Sequence, residues 1–295
     1  MNFDFQRTIN FVDSFSDDRT QGWWFVRSPT FALVSVFLYL LVIFAVPKIM
    51  KKKKPFDLKF LIIVYNFGLV IWSGYMCILF ILYGLLSHKF DIFCYTVDYS
   101  NDSDSLMLAW AVYIYYISKL VELFDTVFFI LRKKDNQITF LHVYHHASMP
   151  LLWWAAAKYV AGGEAYLSPM INCFVHVCMY AYYALSAFGP SIQPYLWWKK
   201  YITMLQMVQF VIVITKTVLT LTLSCAFPNQ YLWGQLFYML SLLVLFLDFY
   251  RQTYKHRKFD SAKQINNNNK NRNSNGNANN YSDNAQINAT VTKRR

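Results

Sequence analysis

Four short segments carry residue types that are out of place in an otherwise apolar chain. They read Lys119-Leu-Val-Glu122-Leu-Phe-Asp125-Thr126, His142-Val-Tyr-His145-His146, Asn172-Cys-Phe-Val-His176-Val-Cys-Met-Tyr180 and Thr203-Met-Leu-Gln206-Met-Val-Gln209. At 100° per residue His142, His145 and His146 fall within a narrow arc of one helix. Lys119, Glu122 and Asp125 step by three, as do Thr203, Gln206 and Gln209, while Asn172 and His176 are i, i+4 neighbours. Each set is expected on one helical face. Neutral imidazole is abundant near pH 7 and attacks carbonyl carbon without prior deprotonation. An acyl-imidazole is an activated acyl donor, so a buried histidine pair with polar support could take up an acyl group and pass it on. Cys173, three residues before His176, is the competing nucleophile as a thiolate–imidazole pair.

A histidine cluster also raises the possibility of a metal, and H-x-x-H-H occurs in membrane di-iron desaturases and hydroxylases. Those enzymes draw on many more histidines in separate boxes. The whole chain has six: His88, His142, His145, His146, His176 and His256. Four could ligate one zinc, but no carboxylate-rich second position accompanies them. The expectation is no metal and no resident cofactor.

The elements that must hold these faces are membrane spans. Of 295 residues, 56% are hydrophobic and only 15% charged, against about 25% in a soluble domain. An ordinary cytosolic enzyme is thereby excluded. Nine Gly and five Cys exclude collagen-like and disulfide-rich classes. A helical crossing needs roughly 20 apolar residues, and seven stretches qualify: 31–47, 60–86, 107–131, 138–157, 166–187, 201–223 and 231–249. Strand-like alternation is absent, which argues against a transmembrane barrel of strands. The polar, acidic and aromatic first 30 residues contain no signal-peptide core. Ionisable groups inside spans are unfavourable and mark function. One polar stripe could be interhelical glue; four together imply a site.

Loop charge sets the orientation. Lys48, the lysine run 51–54, Lys59, Arg132, Lys133, Lys134, Lys199, Lys200, Arg251, Lys255, Arg257 and Lys258 lie on one side, fifteen in all. Arg7, Arg19, Arg27, Lys89 and Lys158, five in all, lie on the other. By the positive-inside rule the first side is cytosolic, the N-terminus lumenal and the C-terminus cytosolic. Three parts follow: a lumenal segment 1–30, a seven-span domain 31–258 and a cytosolic tail 259–295. Twelve Asn between Asn266 and Asn288 make that tail an expected disordered segment. Its Lys293-Arg294-Arg295 end hints at retrieval to the endoplasmic reticulum, or is a solvated basic tail. Asn101-Asp102-Ser103 is a lumenal glycosylation sequon; those at Asn280 and Asn288 should be unused. Cys94 and Cys225 both fall just past spans in the oxidising lumen, whereas Cys77, Cys173 and Cys178 lie within spans. A Cys94–Cys225 disulfide is expected.

KLVELFDT, HVYHH, NCFVHVCMYAYY and TMLQMVQF, in this order and spacing, resemble the signature set of the ELO family of very-long-chain fatty acid elongases. The resemblance covers about residues 25–258. It implies a 3-oxoacyl-CoA synthase of the endoplasmic reticulum that condenses acyl-CoA with malonyl-CoA, releases CO₂ and CoA, and lengthens the chain by two carbons. The implied fold is all-α, with seven transmembrane helices, six of them forming an inverted barrel around an acyl tunnel. The family's nucleophile position falls on His145 and its second histidine on His176; His142, His146, Lys119, Glu122, Asp125, Asn172, Tyr180, Gln206 and Gln209 match flanking positions. Glu122 and Asp125 could be structural, satisfying buried charge, and Gln206 and Gln209 are expected to orient histidines rather than contact substrate. Gln137 resembles the version of the motif in members accepting polyunsaturated chains. For the CoA phosphates the candidates are Arg132, Lys133, Lys199, Lys200, Arg251 and Lys255, against the plainer reading of positive-inside topology. The implied partners are the ketoacyl reductase, dehydratase and enoyl reductase of the elongation cycle and the bilayer, with room for a homo-oligomer and no nucleic acid. A seven-span receptor or transporter would share the topology but gives no reason for four co-facing histidines.

Overall fold

The computed structural model describes residues 13–255, so the Asn-rich tail, its terminal basic residues, Arg7 and His256 lie outside the described residues. Every regular element among them is helical. We number the α-helices α1 (Thr30–Met50), α2 (Lys59–Phe80, continued by a π turn, Ile81–Leu85), α3 (Ser103–Val121), α4 (Phe124–Leu131), α5 (Phe140–Tyr159), α6 (Leu167–Ser186), α7 (Lys199–Thr222) and α8 (Asn229–Tyr250). Short 3₁₀ turns, Asp135–Gln137, Gly163–Tyr166 and Pro190–Tyr195, fill three of the connections.

Thr30–Met50, Lys59–Leu85, Lys199–Thr222 and Asn229–Thr253 are long and apolar enough to cross a bilayer. The chain is a multi-pass membrane protein. The remaining three expected spans correspond to α3 with α4, to α5 and to α6, and none passes that test alone. The reason is their polar content: α3 carries Lys119, α5 the three clustered histidines, α6 Asn172 and His176.

The expected continuous span 107–131 is broken. After Glu122, whose amide still bonds to Ser118 O at 2.8 Å, the backbone tightens: Leu123 N reaches Leu120 O at 3.4 Å and Asp125 N reaches Glu122 O at 3.1 Å. Steps of three on an unbroken helix drift by about 60° each, which would swing Asp125 away from Lys119. The break re-aims α4 so that both side chains meet α6.

Side-chain caps fix where α3 and α5 start. The Thr139 side chain accepts from His142 N at 3.2 Å, capping α5 and setting the phase of the histidine turn. Pro150 has no N–H to return to the carbonyl of His146, and Ser148 Oγ bonds to Tyr144 O (2.7 Å) and His145 O (3.2 Å). The α5 backbone is thus loosened at its histidines. Asp102 caps α3 through Asp104 N and Ser105 N.

The principal core joins α2, α3, α5 and α6 around Met76, Phe80, Val112, Tyr115, Trp153 and Cys173. α1 packs on α4 and α5 and turns most of its side chains outward: Phe37 is 66% and Phe44 69% exposed. At the end of the bundle bearing residues 87–102, a disulfide joins Cys94 to Cys225. Lys89 pairs with both Asp98 and Asp102. The Lys89 ammonium, then the Ser105 hydroxyl, holds Asp98 down to about 2; Lys89 and Ser100 lower Asp102 further, and the two carboxylates raise Lys89 in return. Arg19 and Lys158, read from sequence as ordinary loop cations, are buried here. Arg19 binds Asp17 and the carbonyls of Asp98, Ser105 and Ala161, and Lys158 binds Asp13 and Arg27 O. Asn101 is exposed. The segment 247–255 forms a separate unit in which Gln252 donates to Asp248.

Candidate active site

α3, α4, α5 and α6 bring together most of the residues singled out from sequence. Lys119, 2% exposed, donates to Glu122 Oε1 at 2.7 Å and to Asn172 Oδ1 at 3.3 Å, and its ammonium lies 4.3 Å from the centre of the Tyr115 ring. Glu122, also 2% exposed, accepts from Ser118 Oγ at 3.3 Å and sits 3.4 Å from His176 Nδ1. The result is one continuous polar chain, Asn172–Lys119–Glu122–His176, between two helices. A buried ion pair of this kind persists because each partner is hydrogen-bonded on more than one side.

Asn172 is oriented by its donors. Its Oδ1 accepts from Tyr115 OH at 2.6 Å as well as from Lys119. An ammonium can only donate, so the amide oxygen must face it. The Nδ2 group is left with no hydrogen-bond acceptor among the described residues.

Asp125 accepts from Tyr180 OH at 2.9 Å and lies beside Tyr65, whose hydroxyl also donates to Val121 O at 3.2 Å. Tyr180 packs edge-on against His176, ring centres 5.4 Å apart. Lys119 and Asp125 therefore both address α6, eight residues apart along it, at Asn172 and Tyr180.

The three α5 histidines are held differently. His142 Nε2 lies 2.6 Å from Thr126 Oγ1, and its ring meets that of His146 at 4.2 Å. His146 is buried and meets the edge of His145 at 5.2 Å. His145 is half-buried, within electrostatic range of Lys119, Glu122, His176 and His142, and neither ring nitrogen has a hydrogen-bond partner among the described residues. Among the described residues no three His, Cys, Asp or Glu side chains are grouped so as to hold a metal ion. Cys173 is buried in the apolar core with Met76 and Tyr115, the environment of an inert thiol rather than a reactive one.

α7 brings Gln206 beside α6, donating to Met179 Sδ at 3.7 Å. Gln209 is 4% exposed, and its Oε1 is buried without a partner. Neither glutamine hydrogen-bonds a histidine among the described contacts. Of the basic candidates, Arg132 and Lys133 follow α4, with Lys133 donating to Lys51 O at 3.4 Å, and Lys199 and Lys200 open α7, all at least partly exposed. Contacts from Phe56 N to Leu131 O and from Lys59 to Phe188 O tie the α1–α2 loop to the same ends of α4 and α6. Arg251 is exposed in the separate 247–255 unit, and Lys255 ends that unit's π turn.

Sequence reasoning passed over several groups. Tyr115, Tyr65 and Tyr39 look like packing residues in apolar helices, and only their partners reveal them. Lys216 was visible as a lone charge inside an apolar span, a sign of a buried partner. That partner is Glu164, which takes its ammonium at 2.6 Å through both oxygens and also accepts from Tyr95 N.

Residues 24–262 match the sequence profile of the ELO family, described as the GNS1/SUR4 family. The chain is 46% identical over 245 residues to "Very long chain fatty acid elongase 4" of Macaca mulatta, covering 83% of this chain and 78% of that one. It is 45% identical to the Homo sapiens protein of the same name, over 84% of this chain and 79% of that one. With "Very long chain fatty acid elongase 5" of Rattus norvegicus it shares 40% identity over 95% and 92% of the two chains. A polar, histidine-bearing interior on helices of this order and a profile match across most of the sequence agree, and the chain belongs to the ELO family.

Proposed function

We propose that this protein is the condensing enzyme of fatty acid elongation, joining an acyl-CoA to malonyl-CoA to give a 3-oxoacyl-CoA two carbons longer. The observation that carries the reading is the unpartnered pair of ring nitrogens on His145, placed beside an anchored Lys119–Glu122–His176 chain. His142 and His176 each have a nitrogen held by Thr126 or Glu122, and His146, which also lacks a hydrogen bond among the described residues, is buried; the half-buried His145 is left for chemistry.

In the first half-reaction a neutral His145 nitrogen attacks the thioester carbonyl. The carbon–sulfur bond breaks, CoA leaves as the thiol with the imidazole proton, and an acyl-imidazole remains. The unsatisfied Nδ2 of Asn172 is a fitting donor to the tetrahedral oxyanion, since fixed donors act strongly where water is excluded. In the second half-reaction malonyl-CoA loses CO₂, and the resulting enolate carbon attacks the acyl carbon. The carbon–nitrogen bond breaks, and the imidazolide regains a proton. Glu122 at Nδ1 turns the other nitrogen of His176 toward the reacting centre, where it handles the proton that the condensation moves. No cofactor enters either step.

Around this chemistry we infer seven crossings, with α3–α4, α5 and α6 spanning alongside the four apolar helices, and six of the seven enclosing a tunnel for the acyl chain. The endoplasmic reticulum is the expected membrane, with a lumenal N-terminus and a cytosolic C-terminus. CoA would then reach the tunnel from the cytosolic end, where Arg132, Lys133, Lys199 and Lys200 can meet its phosphates; Arg251 and Lys255, in the separate unit, are candidates by sequence alone. Two lysines in the first turn of α7 oppose the helix dipole, which favours a role for them beyond local stability. The buried orphan Oε1 of Gln209 needs a donor, and the amide N–H groups of a pantetheine arm supply one. The product's ketone must next be reduced, then dehydrated and reduced again, so reductase, dehydratase and enoyl reductase activities are the functional partners.

The test is a purified protein given acyl-CoA alone, with acyl-CoAs of graded length and unsaturation. Release of one CoA per chain and an acyl group on the peptide bearing His145 are expected, followed by condensation when labelled malonyl-CoA is added. An active enzyme that releases no CoA before malonyl-CoA arrives would condense directly, and the acyl-histidine step would be wrong. An adduct surviving His145→Ala but lost in Cys173→Ala would move the nucleophile to the thiol.

A further inference from the structure

α1 is an outward-facing helix with one polar side chain turned in at mid-length. Tyr39 is 4% exposed, while its neighbours Phe37, Leu38 and Leu41 are 66%, 51% and 51% exposed. Packing alone needs only an apolar group at that point. Its hydroxyl instead lies 3.1 Å from Thr126 Oγ1, and Thr126, fully buried, lies 2.6 Å from His142 Nε2. Three elements, α1, α4 and α5, thus meet in a line of hydrogen bonds that ends on the histidine turn.

The direction of that line follows from counting protons. Thr126 has one hydroxyl proton and Tyr39 has one. Were His142 to donate from Nε2, Thr126 Oγ1 would either accept from Tyr39 as well, leaving its own proton without an acceptor, or donate to Tyr39, leaving the Tyr39 proton without one. Among the described residues neither hydroxyl has a further acceptor, and a buried donor left unmade is destabilising. The satisfied order is Tyr39 O–H to Thr126 Oγ1 and Thr126 O–H to His142 Nε2. His142 then accepts at Nε2 and carries its proton on Nδ1. Its ring packs at 4.2 Å on His146, which meets the edge of His145 at 5.2 Å.

We propose that Tyr39 and Thr126 form a positioning relay that holds His142 as the Nδ1–H tautomer and, through the ring of His146, fixes the orientation of His145 for acylation. The proposal rests on the acyl-histidine reading. Neither residue touches substrate, so the expected signature is on the rate of acyl transfer and not on binding. Thr126→Val keeps the shape and removes the hydroxyl; it slows CoA release from acyl-CoA alone by about 10- to 100-fold, the range of lost second-layer hydrogen bonds. KM for both substrates stays within a factor of about two, because no binding contact is lost. Thr126→Ser restores most of the rate, since a hydroxyl is all the relay needs. Tyr39→Phe leaves Thr126 able to reverse its bond and slows release less.

The experiment follows the CoA released in the first turnover, together with kcat and KM, in wild type, Thr126→Val, Thr126→Ser and Tyr39→Phe, with each variant's unfolding temperature as a control. Wild-type release that equals that of both Thr126→Val and Tyr39→Phe overturns the relay and leaves the acyl-histidine standing. A Thr126→Ser as slow as Thr126→Val also overturns it, because then the methyl, and not the hydroxyl, matters. Absence of early release in the wild type removes the acyl-histidine and the relay with it. If Thr126→Val fails to fold, Tyr39→Phe decides: an unchanged rate overturns the relay and a slowed rate at unchanged KM supports it.

Discussion

Lys119 and Glu122 are the place to ask how far the site also holds the fold together. Both are 2% exposed, and their bond is 2.7 Å. Removing one partner of a buried pair strands the other charge and typically costs about 3–5 kcal/mol. The two single changes should differ. Glu122→Leu leaves the ammonium with only Asn172 Oδ1 at 3.3 Å and the Tyr115 ring, so it belongs at the upper end. Lys119→Met leaves the carboxylate with Ser118 Oγ and with His176, which can compensate by protonation, so it belongs at the lower end. At about 2–4 °C per kcal/mol for a chain of this size, unfolding temperatures should fall by about 6–20 °C. The double variant strands no charge, and an apolar pair of similar volume is often neutral. It should recover most of the loss while remaining inactive, because His176 has lost its carboxylate. Thermal unfolding in detergent of the wild type, both single variants and the double measures the coupling directly. A double variant as unstable as the two singles combined would mean that the pair holds shape and not charge, and the electrostatic account of the interior would be wrong.

Cys94–Cys225 closes a loop spanning 131 residues, so Cys225→Ser should cost about 2–5 kcal/mol, and a reductant should lower the unfolding temperature of the wild type alone. At Gly163, where φ is +52° and an added Cβ would stand 2.7 Å from the backbone of Tyr95 and Thr96, Gly163→Ala should destabilise by about 1–3 kcal/mol in the same assay. Gln209→Leu removes a buried unpaired oxygen and should stabilise the protein by about 1–3 kcal/mol while lowering kcat/KM; an inactive and less stable variant would assign the residue to packing. Lys89 holds Asp98 at about 2, below its unfolded value near 3.9, so the stability that this pair adds is present above that unfolded value and is lost as pH falls through about 2. The gap in unfolding temperature between wild type and Lys89→Met should therefore be flat from neutral pH down to about 5 and close in strong acid.

The sequence made some parts of this molecule legible and concealed others for physical reasons. The histidine turn could be read because i, i+3 and i+4 spacing leaves no freedom on a helix. Lys119 and Glu122 were legible for the opposite reason: charges are so unfavourable among Val, Leu and Phe that they must find each other. The break at Glu122–Leu123 was hidden, since no Gly or Pro marks it and local hydropathy is unchanged across it. Tyr39 was hidden because a tyrosine in an apolar helix is ordinary, and its role exists only once α1 lies against α4. The burial of Arg19 and Lys158 was hidden because loop position says nothing about whether a segment folds back over the helix ends.

α3, α5 and α6 are too polar to pass as spans on hydropathy, yet they stand among helices that do. Isolated in lipid, each would present an ammonium, a carboxylate or several imidazoles to hydrocarbon, at a few kcal/mol apiece. Every one of those groups except His145 and His146 is met by a hydrogen bond or ion pair: Lys119 with Asn172, Glu122 with His176, Asp125 with Tyr180, His142 with Thr126. These ties cross between helices and appear only when the helices are together. Were α3, α5 and α6 to cross the bilayer as proposed, the polar interior would be a condition of placing them there at all. His145 and His146 both keep their ring nitrogens free of hydrogen bonds among the described residues, and of the two only His145 is half-buried rather than buried. Of the polar positions left open in this network, the half-buried His145 is the one that the proposed acyl transfer requires the substrate to fill.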